Sequence, residues 1–293
     1  MRLGLFLSAF TSEPRKPLDV ARRATAAGYE AVFVYDHLFP PGSRERPSIE
    51  PFTLLAAAAA ANPGLGVGVL VSRAGWRPLG MLAKETAALS SLSGRDAILG
   101  LGLGDRFGEA EHASVGLPYP PIEERTILLE ETATAMRSLL RGDPWPGGTM
   151  TPRVEGPLLP AASASVWLGG TSPRVVRSAA RTADAWNGWG MDADAFEGRA
   201  GQLRAFAEEA GRDPREVPPT WAGIVLLGST ASELSALEDE RESAGGSLSI
   251  WRGTLDDLRR LRDRLDRVGA SWVVPLAAGP SDRLDLIAET LRS

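Results

Sequence analysis

The chain has 293 residues, of which 43% are hydrophobic and 24% charged, a composition typical of a globular protein. Its 32 basic and 37 acidic side chains give a net charge of −5, which argues against a nucleic-acid partner. The sequence has no cysteine, which excludes disulfides, thiol catalysis and iron–sulfur clusters. Its two histidines, His37 and His112, are too few for a multi-histidine metal site.

The sequence also lacks the marks of a membrane protein. No apolar run reaches the roughly 18 residues that a membrane-spanning helix needs. Residues 1–7 are too short for a signal-peptide core and have no small-residue cleavage site. We therefore expect a cytoplasmic protein without a membrane partner.

Short apolar segments alternate with segments of helical periodicity along the whole chain. Several of the apolar segments are almost continuously hydrophobic, as strands covered on both faces should be. The predicted strands are Leu3–Leu7, Ala31–Asp36, Leu65–Val71, Ala97–Leu103, Ser165–Gly169, Ala185–Gly190, Thr220–Leu227 and Ser271–Leu276.

The segments between the strands predict helices. Apolar residues recur at helical spacing from Leu128 to Leu140, and again from Leu255 to Val268, where Thr254 is a plausible N-cap. Eight such strand–helix units predict an α/β fold, specifically a (β/α)8 TIM barrel forming a single domain over 1–293. An open doubly wound sheet is the alternative. The Pro/Gly-rich segment 141–160 is interpreted as an insertion at the barrel rim, with a domain boundary as the rival reading.

In such a barrel the catalytic and binding residues lie at the C-terminal ends of the strands. Asp36 and His37 end the second strand, and burying both polar groups is costly without a partner or a function. A capping Asp with a structural His explains the pair equally well. Gly66 and Gly68 in the third strand indicate either a close backbone approach, which a flat ligand would need, or barrel packing.

Two further glycine-rich strand ends are candidates. Gly100, Gly102 and Gly104 alternate in the fourth strand and leave Asp105 at the rim, with Glu109 and Glu111 following; the spacing does not match a dinucleotide fingerprint. The fifth strand ends in Gly169-Gly170-Thr171-Ser172-Pro173, which predicts an open helix N-terminus suited to a phosphate, or simply a capped helix.

The remaining candidates are aromatic or isolated. Trp186 and Trp189 end the sixth strand, where a tryptophan packs either on a planar ligand or in the core. His112 has no acid at catalytic spacing, and we interpret it as a surface or structural residue. Alanines in 56–61 would permit close helix contact in a homodimer, or pack on the barrel.

These motifs together resemble the bacterial luciferase-like superfamily of barrel oxidoreductases. They occur in one order along the chain: Asp36-His37-Leu38, Gly68-Val69, residues 99–105, residues 167–172 and residues 181–187. The Asp-His pair is similar to that of the branch which uses the deazaflavin coenzyme F420.

The resemblance implies a role for each motif. Asp36 would contact the cofactor, and His37 would act as base or anion stabiliser. A non-proline cis peptide behind the deazaflavin ring maps to Gly68–Val69, and Asp105 takes the place of a proton-donating Glu. The cofactor contacts implied along the fourth and fifth strands are Gly104, Leu168, Gly169, Gly170 and Thr171, the last three holding the phosphate.

The resulting hypothesis is hydride transfer between coenzyme F420 and a small organic substrate, without a metal. Two departures argue against the sugar-phosphate dehydrogenase subtype. Gly108 stands where some deazaflavin relatives carry a cofactor-contacting Asn, and Leu38-Phe39-Pro40 stands where an aromatic residue sometimes follows the Asp-His pair. The main alternative is an FMN-dependent monooxygenase, which would need a reductase partner. A non-catalytic cofactor-binding barrel is less favoured, and a metal-dependent hydrolase is disfavoured by the scarcity of ligands.

Overall fold

The computed structural model describes residues 1–247 and 250–293. Within those ranges strands and helices alternate along the chain. The strands are β1 (Arg2–Phe6), β2 (Ala31–Val34), β3 (Gly66–Arg73), β4 (Ala97–Gly102), β5 (Ala164–Gly169), β6 (Ala185–Trp189), β7 (Pro219–Gly228), β8 (Trp251–Thr254) and β9 (Trp272–Ala278).

The helices follow the same order. They are α1 (Arg15–Ala26), α2 (Pro51–Ala61), α3 (Leu79–Ser93), α4 (Gly108–Ser114), α5 (Ile122–Leu140), α6 (Pro173–Thr182), α7 (Ala193–Glu209), α8 (Ala231–Ser243), α9 (Leu255–Arg267) and α10 (Arg283–Arg292), with a 3-10 turn at Pro214–Glu216. The predicted N-cap Thr254 is confirmed, since it forms a capping box with Asp257.

Eight parallel strands close into a ring. Each of β1 to β6 pairs with the next, β6 pairs with β7, β7 with β9, and β9 returns to β1. This closure confirms the (β/α)8 TIM barrel and excludes the open doubly wound sheet.

The strand β8 was not predicted. It pairs with the C-terminal half of β7, from Val225 to Gly228, while the N-terminal half of β7 pairs with β6. Strand β7 is ten residues long and therefore extends past the ring. Residues 251–254 escaped prediction because they contain no apolar run.

The barrel interior is filled by large side chains next to glycines. Phe33 lies at its centre with no exposed surface, packed near Trp167 and Trp272. A Cβ at Gly4 or Gly68 would come within 2.5–2.7 Å of the Phe33 ring. These two glycines therefore make room for Phe33 in the closed barrel.

Two segments outside the ring of strands are the connection 141–163 and the helix α2. Residues 141–163 connect α5 to β5 and contain an antiparallel bridge between Trp145 and Val154. In α2, Ala58 and Ala59 are buried against the barrel, and the dimer contact expected near that helix stays a prediction. Among the described residues, no helix is long and apolar enough to cross a membrane.

Candidate active site

A cavity of about 450 Å³ opens at the C-terminal ends of the strands. Six of the residues predicted from the sequence line it together: His37, Gly104, Asp105, Gly169, Gly170 and Thr171. Val71, Arg73 and Trp189 also line the cavity. The strand ends predicted to carry chemistry are thus brought to one site.

The floor of the cavity is made by a distortion of β3. The pairing of β3 with β4 shifts register between Val69 and Ser72, and the Leu70–Val71 peptide bond is cis. The resemblance had mapped this bond to Gly68–Val69, which is wrong by two residues. The distortion turns Val71 toward β4 and β5.

The alternating glycines of the neighbouring strands accommodate that floor. A Cβ at Gly102 would lie 2.7 Å from Val71 Cγ2, and one at Gly169 would lie 2.5 Å from Val71 Cγ1. A Cβ at Gly100 would meet Leu70 at 2.7 Å. The space that the glycines clear is therefore taken by the bulged strand, whose valine presents an apolar surface to the cavity.

His37 is held by a buried carboxylate. Glu111 is 1% exposed, and its Oε2 lies 3.1 Å from His37 Nδ1, while its Oε1 accepts the backbone N–H of Leu38 at 2.8 Å. A carboxylate can only accept, so we assign the imidazole proton to Nδ1. This leaves Nε2 as the ring nitrogen available for a reacting group.

Arg73 completes this cluster. It is 5% exposed, and its Nη2 forms an ion pair with Glu111. The same nitrogen lies 3.1 Å from His37 Nδ1, but both are donors, so they share the Glu111 carboxylate and do not bond each other. Burial would raise the pKa of Glu111, but the hydrogen bond and charge of His37 and the charge of Arg73 hold that pKa below its usual value. Glu111 is therefore ionised at neutral pH.

Asp36 does not reach the cavity. It is 3% exposed, its Oδ2 accepts a 2.6 Å hydrogen bond from Ser72, and its Oδ1 lies 3.3 Å from Arg77 Nη2. Adjacent side chains along an extended segment point in opposite directions, so Asp36 and His37 face different sides of the strand end. Asp36 thus takes part in a buried ion pair, and its implied contact with the cofactor stays a prediction.

Three other predicted cofactor contacts also lie away from the cavity lining. Val69 and Leu168 are 1% and 0% exposed and belong to the core between the barrel and its helices. Gly68 packs against Phe33 inside the barrel. The two-residue period of a strand turns Leu168 away from the cavity, because its neighbour Gly169 faces the cavity.

The loop that carries Asp105 is tightly held. Asp105 Oδ1 accepts the backbone N–H of Phe107 at 2.9 Å, and Tyr119 donates its hydroxyl to the Asp105 carbonyl at 2.7 Å. Arg125 donates to the Leu103 carbonyl. A Cβ at Gly108 would lie 2.7 Å from the Tyr119 hydroxyl. A side chain at position 108 would thus overlap Tyr119.

The turn before α6 has the features of an anion site. Gly170 adopts φ = 148°, its N–H donates to Asn187, and its carbonyl accepts from Trp186 Nε1 at 2.8 Å. The Gly170 N–H is therefore already used. Within the described ranges, the backbone N–H groups of Thr171 and Ser172 make no hydrogen bond.

Two groups add positive electrostatic potential at this turn. The dipole of the ten-residue helix α6 begins at Pro173, and Arg199 donates to the Thr171 carbonyl at 2.8 Å. The sequence predicted the turn but not Arg199, which lies on the next helix.

Of the remaining candidates, Trp189 lines the cavity, whereas Trp186 and His112 are buried. Trp189 lines the cavity and is 39% exposed, whereas Trp186 is fully buried. His112 is 4% exposed and its Nδ1 lies 2.7 Å from the Pro118 carbonyl, between Trp76 and Tyr119. His112 is thus structural and not a surface residue. In the described part of the chain, no cluster of three or more His, Cys, Asp or Glu side chains suits a metal ion.

Comparison with known proteins places the chain in a family. Residues 1–281 match the luciferase-like monooxygenase family. The chain belongs to this family. Among curated relatives, F420-dependent glucose-6-phosphate dehydrogenase from Beutenbergia cavernae is 29% identical over 297 residues, covering 94% of this chain and 84% of the relative.

Solved structures share the fold. An F420-dependent secondary alcohol dehydrogenase, solved with an F420–acetone adduct, superposes with a TM-score of 0.83 at 16% identity, covering 100% of this chain and 99% of the other. EDTA monooxygenase from Chelativorans sp. BNC1 superposes with a TM-score of 0.82 at 18% identity, covering 99% and 92%. At such identities the likeness concerns the fold.

Proposed function

We propose that this protein is an oxidoreductase that binds coenzyme F420 in the cavity and transfers a hydride between the deazaflavin and a small organic substrate. The observation that carries the proposal is the joint lining of one cavity by His37, Asp105 and the turn at Gly170 and Thr171. Curated relatives named as F420-dependent support the choice of cofactor.

The residues present suit such a cofactor. Val71 offers an apolar surface on which a planar ring can rest. A side chain in place of Gly102 or Gly169 would collide with Val71 itself. The N–H groups of Thr171 and Ser172, with Arg199 behind them, suit the phosphate. When bound, the deazaflavin would supply or accept the hydride.

Side chains of the protein transfer the proton that accompanies the hydride. Glu111 holds the His37 proton on Nδ1, so Nε2 is free to take a proton from a substrate hydroxyl. In the reverse direction, the protonated imidazole returns that proton to the developing alkoxide. Asp105, which also lines the cavity, is the second proton-transfer group that we assign.

Cofactor titration is the first test. Purified protein is titrated with coenzyme F420 and, separately, with FMN, following the fluorescence of each ring. We expect saturable binding of F420 at micromolar concentration or below and much weaker binding of FMN. Preferential binding of FMN would replace the proposal with the monooxygenase alternative and its reductase partner.

Variants then separate binding from chemistry. His37→Ala should retain the affinity for F420 while losing roughly 10²–10⁴-fold in turnover, the usual contribution of a positioned acid–base group. Glu109→Gln, an exposed acid on the same helix as Glu111, is the control and should behave as wild type. Full turnover by His37→Ala would remove the assigned mechanism but leave the binding site.

A further inference from the structure

We propose that His112 is a positioning residue of the acid–base centre and acts on it through a bound water. The water would occupy a second cavity of about 70 Å³, the small cavity, whose polar side chains are Arg73, His112, Tyr119 and Arg125. Arg73 lines both this cavity and the larger one that contains His37. The inference rests on the proposed function, because it assigns a further residue to the same reaction.

Two buried polar atoms at the small cavity have no hydrogen-bond partner. Arg73 is 5% exposed and His112 is 4% exposed, and both side chains line this cavity. Arg73 Nη1 and His112 Nε2 are buried and make no hydrogen bond with any residue that the structure describes. Native proteins rarely leave such atoms unsatisfied, and a bound water often supplies the missing partner.

The two atoms have complementary hydrogen-bonding chemistry. His112 Nδ1 lies 2.7 Å from the Pro118 carbonyl oxygen, which can only accept, so we assign the ring proton to Nδ1. Nε2 of the neutral ring is then an acceptor, whereas Arg73 Nη1 can only donate. A single water meets both needs, because it accepts from the guanidinium and donates to the imidazole.

The surroundings of His112 keep its ring neutral at physiological pH. Burial lowers its pKa, and the charges of Arg73 on β3 and Arg125 on α5 lower it further. The Pro118 carbonyl and Glu111, the preceding residue in α4, act in the opposite direction without reversing the shift of the pKa. His112 Nε2 is therefore an acceptor at neutral pH, as the bridge requires.

The size and the remaining groups of the small cavity suit water better than a larger or charged ligand. One water needs about 10–15 Å³ of cavity space, whereas pockets for small molecules begin at about 300 Å³. Arg125 already donates to the Leu103 carbonyl and to the Tyr119 hydroxyl. That hydroxyl in turn donates to the Asp105 carbonyl. An anion would also face the lone pair of His112 Nε2, which repels it.

The bridge connects His112 to the reacting histidine through one guanidinium. Arg73 Nη2 pairs with Glu111, and Glu111 Oε2 lies 3.1 Å from His37 Nδ1. Because the guanidinium is planar and rigid, a bond at Nη1 fixes the direction in which Nη2 points. The Trp76 ring packs beside both members of the bridge, 5.2 Å from Arg73 Cζ and 4.8 Å from the His112 ring. His112 therefore orients Arg73, which holds the carboxylate that sets the tautomer of His37.

A crystal structure at high resolution tests the water directly. We expect a water within about 2.7–3.2 Å of both Arg73 Nη1 and His112 Nε2 at neutral pH. Direct contact between the two side chains, or an anion in place of the water, overturns the bridge.

Nuclear magnetic resonance tests the positioning role. The chain has two histidines, so isotopic labelling of histidine yields two sets of ring signals, and each set reports which nitrogen carries the proton. In the wild-type protein we expect the proton on Nδ1 of both His37 and His112. His112→Phe keeps a ring between Trp76 and Tyr119 but has no nitrogen. In this variant the signals of His37 should shift from those of the Nδ1–H form toward a mixture of both tautomers.

Two further variants serve as controls. His112→Gln supplies an amide oxygen that can accept from the same water, so the Nδ1–H signals of His37 should be largely restored. Thr132→Val removes a buried hydroxyl that also has no partner among the described residues but lies outside the small cavity, so His37 should keep its wild-type signals. All three variants should bind F420 with wild-type affinity, since neither His112 nor Thr132 lines the larger cavity.

The outcomes separate this inference from the proposed function. An unchanged His37 tautomer in folded His112→Phe overturns the positioning role, and so does a proton on Nε2 of wild-type His112. The second measurement needs no variant, so a His112→Phe protein that fails to fold leaves the inference testable. Failure of the wild-type protein to bind F420 overturns the proposed function instead, whatever the two histidine signals show.

Discussion

The buried carboxylate behind His37 offers the sharpest perturbation of the site. Glu111→Gln keeps the shape of the side chain but removes its charge. The amide oxygen can still accept from Leu38 N–H, which now lies 2.8 Å from Glu111 Oε1. Two interactions change: an NH2 donor replaces the Oε2 acceptor that lies 3.1 Å from His37 Nδ1, and the Arg73 guanidinium loses its anionic partner.

The structure sets the size of each effect. A hydrogen bond to a charged group contributes about 1.5–3 kcal/mol, so kcat should fall by roughly 10- to 100-fold. Arg73 and Glu111 are only 5% and 1% exposed. Breaking such a buried pair by removing one partner costs about 3–5 kcal/mol of stability. That is a large part of the roughly 5–15 kcal/mol typical of native proteins.

Steady-state turnover and urea denaturation measure the two effects separately. Arg73→Met combined with Glu111→Gln removes both charges, so most of the lost stability should return while kcat stays low. F420 affinity should change little in the single variant, because Glu111 does not line the cavity. Glu109→Gln is the matched control on the same helix.

Two results would refute this reasoning. Wild-type kcat in a folded Glu111→Gln protein would mean that the carboxylate does not position His37. Recovery of kcat in the double variant, in step with its stability, would mean that the loss came from general destabilisation and not from the tautomer of the imidazole.

Three further changes probe the loops and the pH response. Tyr119→Phe removes the hydroxyl that bonds the Asp105 carbonyl and should cost about 1 kcal/mol in urea denaturation, with reduced kcat. Gly170→Ala forces a side chain into φ = 148° and to 3.1 Å from Val175; F420 titration should reveal weaker binding, at about 1–3 kcal/mol of strain. Burial lowers the pKa of His112 below 6.5, so the unfolded chain binds more protons there. The free energy of unfolding should therefore fall as pH drops below about 6.5, and less so in His112→Gln.

Much of the barrel was predictable because its strands are apolar runs of the right length. The predicted segment Ala185–Gly190 and the observed β6, Ala185–Trp189, differ by one residue. The third strand ends two residues later than predicted, at Arg73, because a polar Ser72-Arg73 pair does not look like a buried strand. No apolar pattern marked β8, which gains its partner only because β7 is long.

Residues of the candidate site could be predicted where they stand at strand ends. They were harder to predict where membership of the site depends on the direction of a side chain. His37, Asp105 and Gly170 were predicted at strand ends from residue type and glycine pattern, and all three line the cavity. Glu111 was noted only as an acid following Asp105, since its distance of 74 residues from His37 hides their contact. Arg73 carried one signal that could have been used, a charged residue ending an apolar strand.

The ends of β2 and β3 show how one backbone supplies both a structural and a reactive cluster. Asp36 and Ser72 face away from the cavity and bond each other at 2.6 Å, with Arg77 beside them. His37 and Arg73, each the next residue along, line the cavity. Because alternate side chains project to opposite sides, fixing the first pair also fixes the direction of the second. The buried contacts of Asp36 therefore hold the backbone from which His37 projects into the cavity.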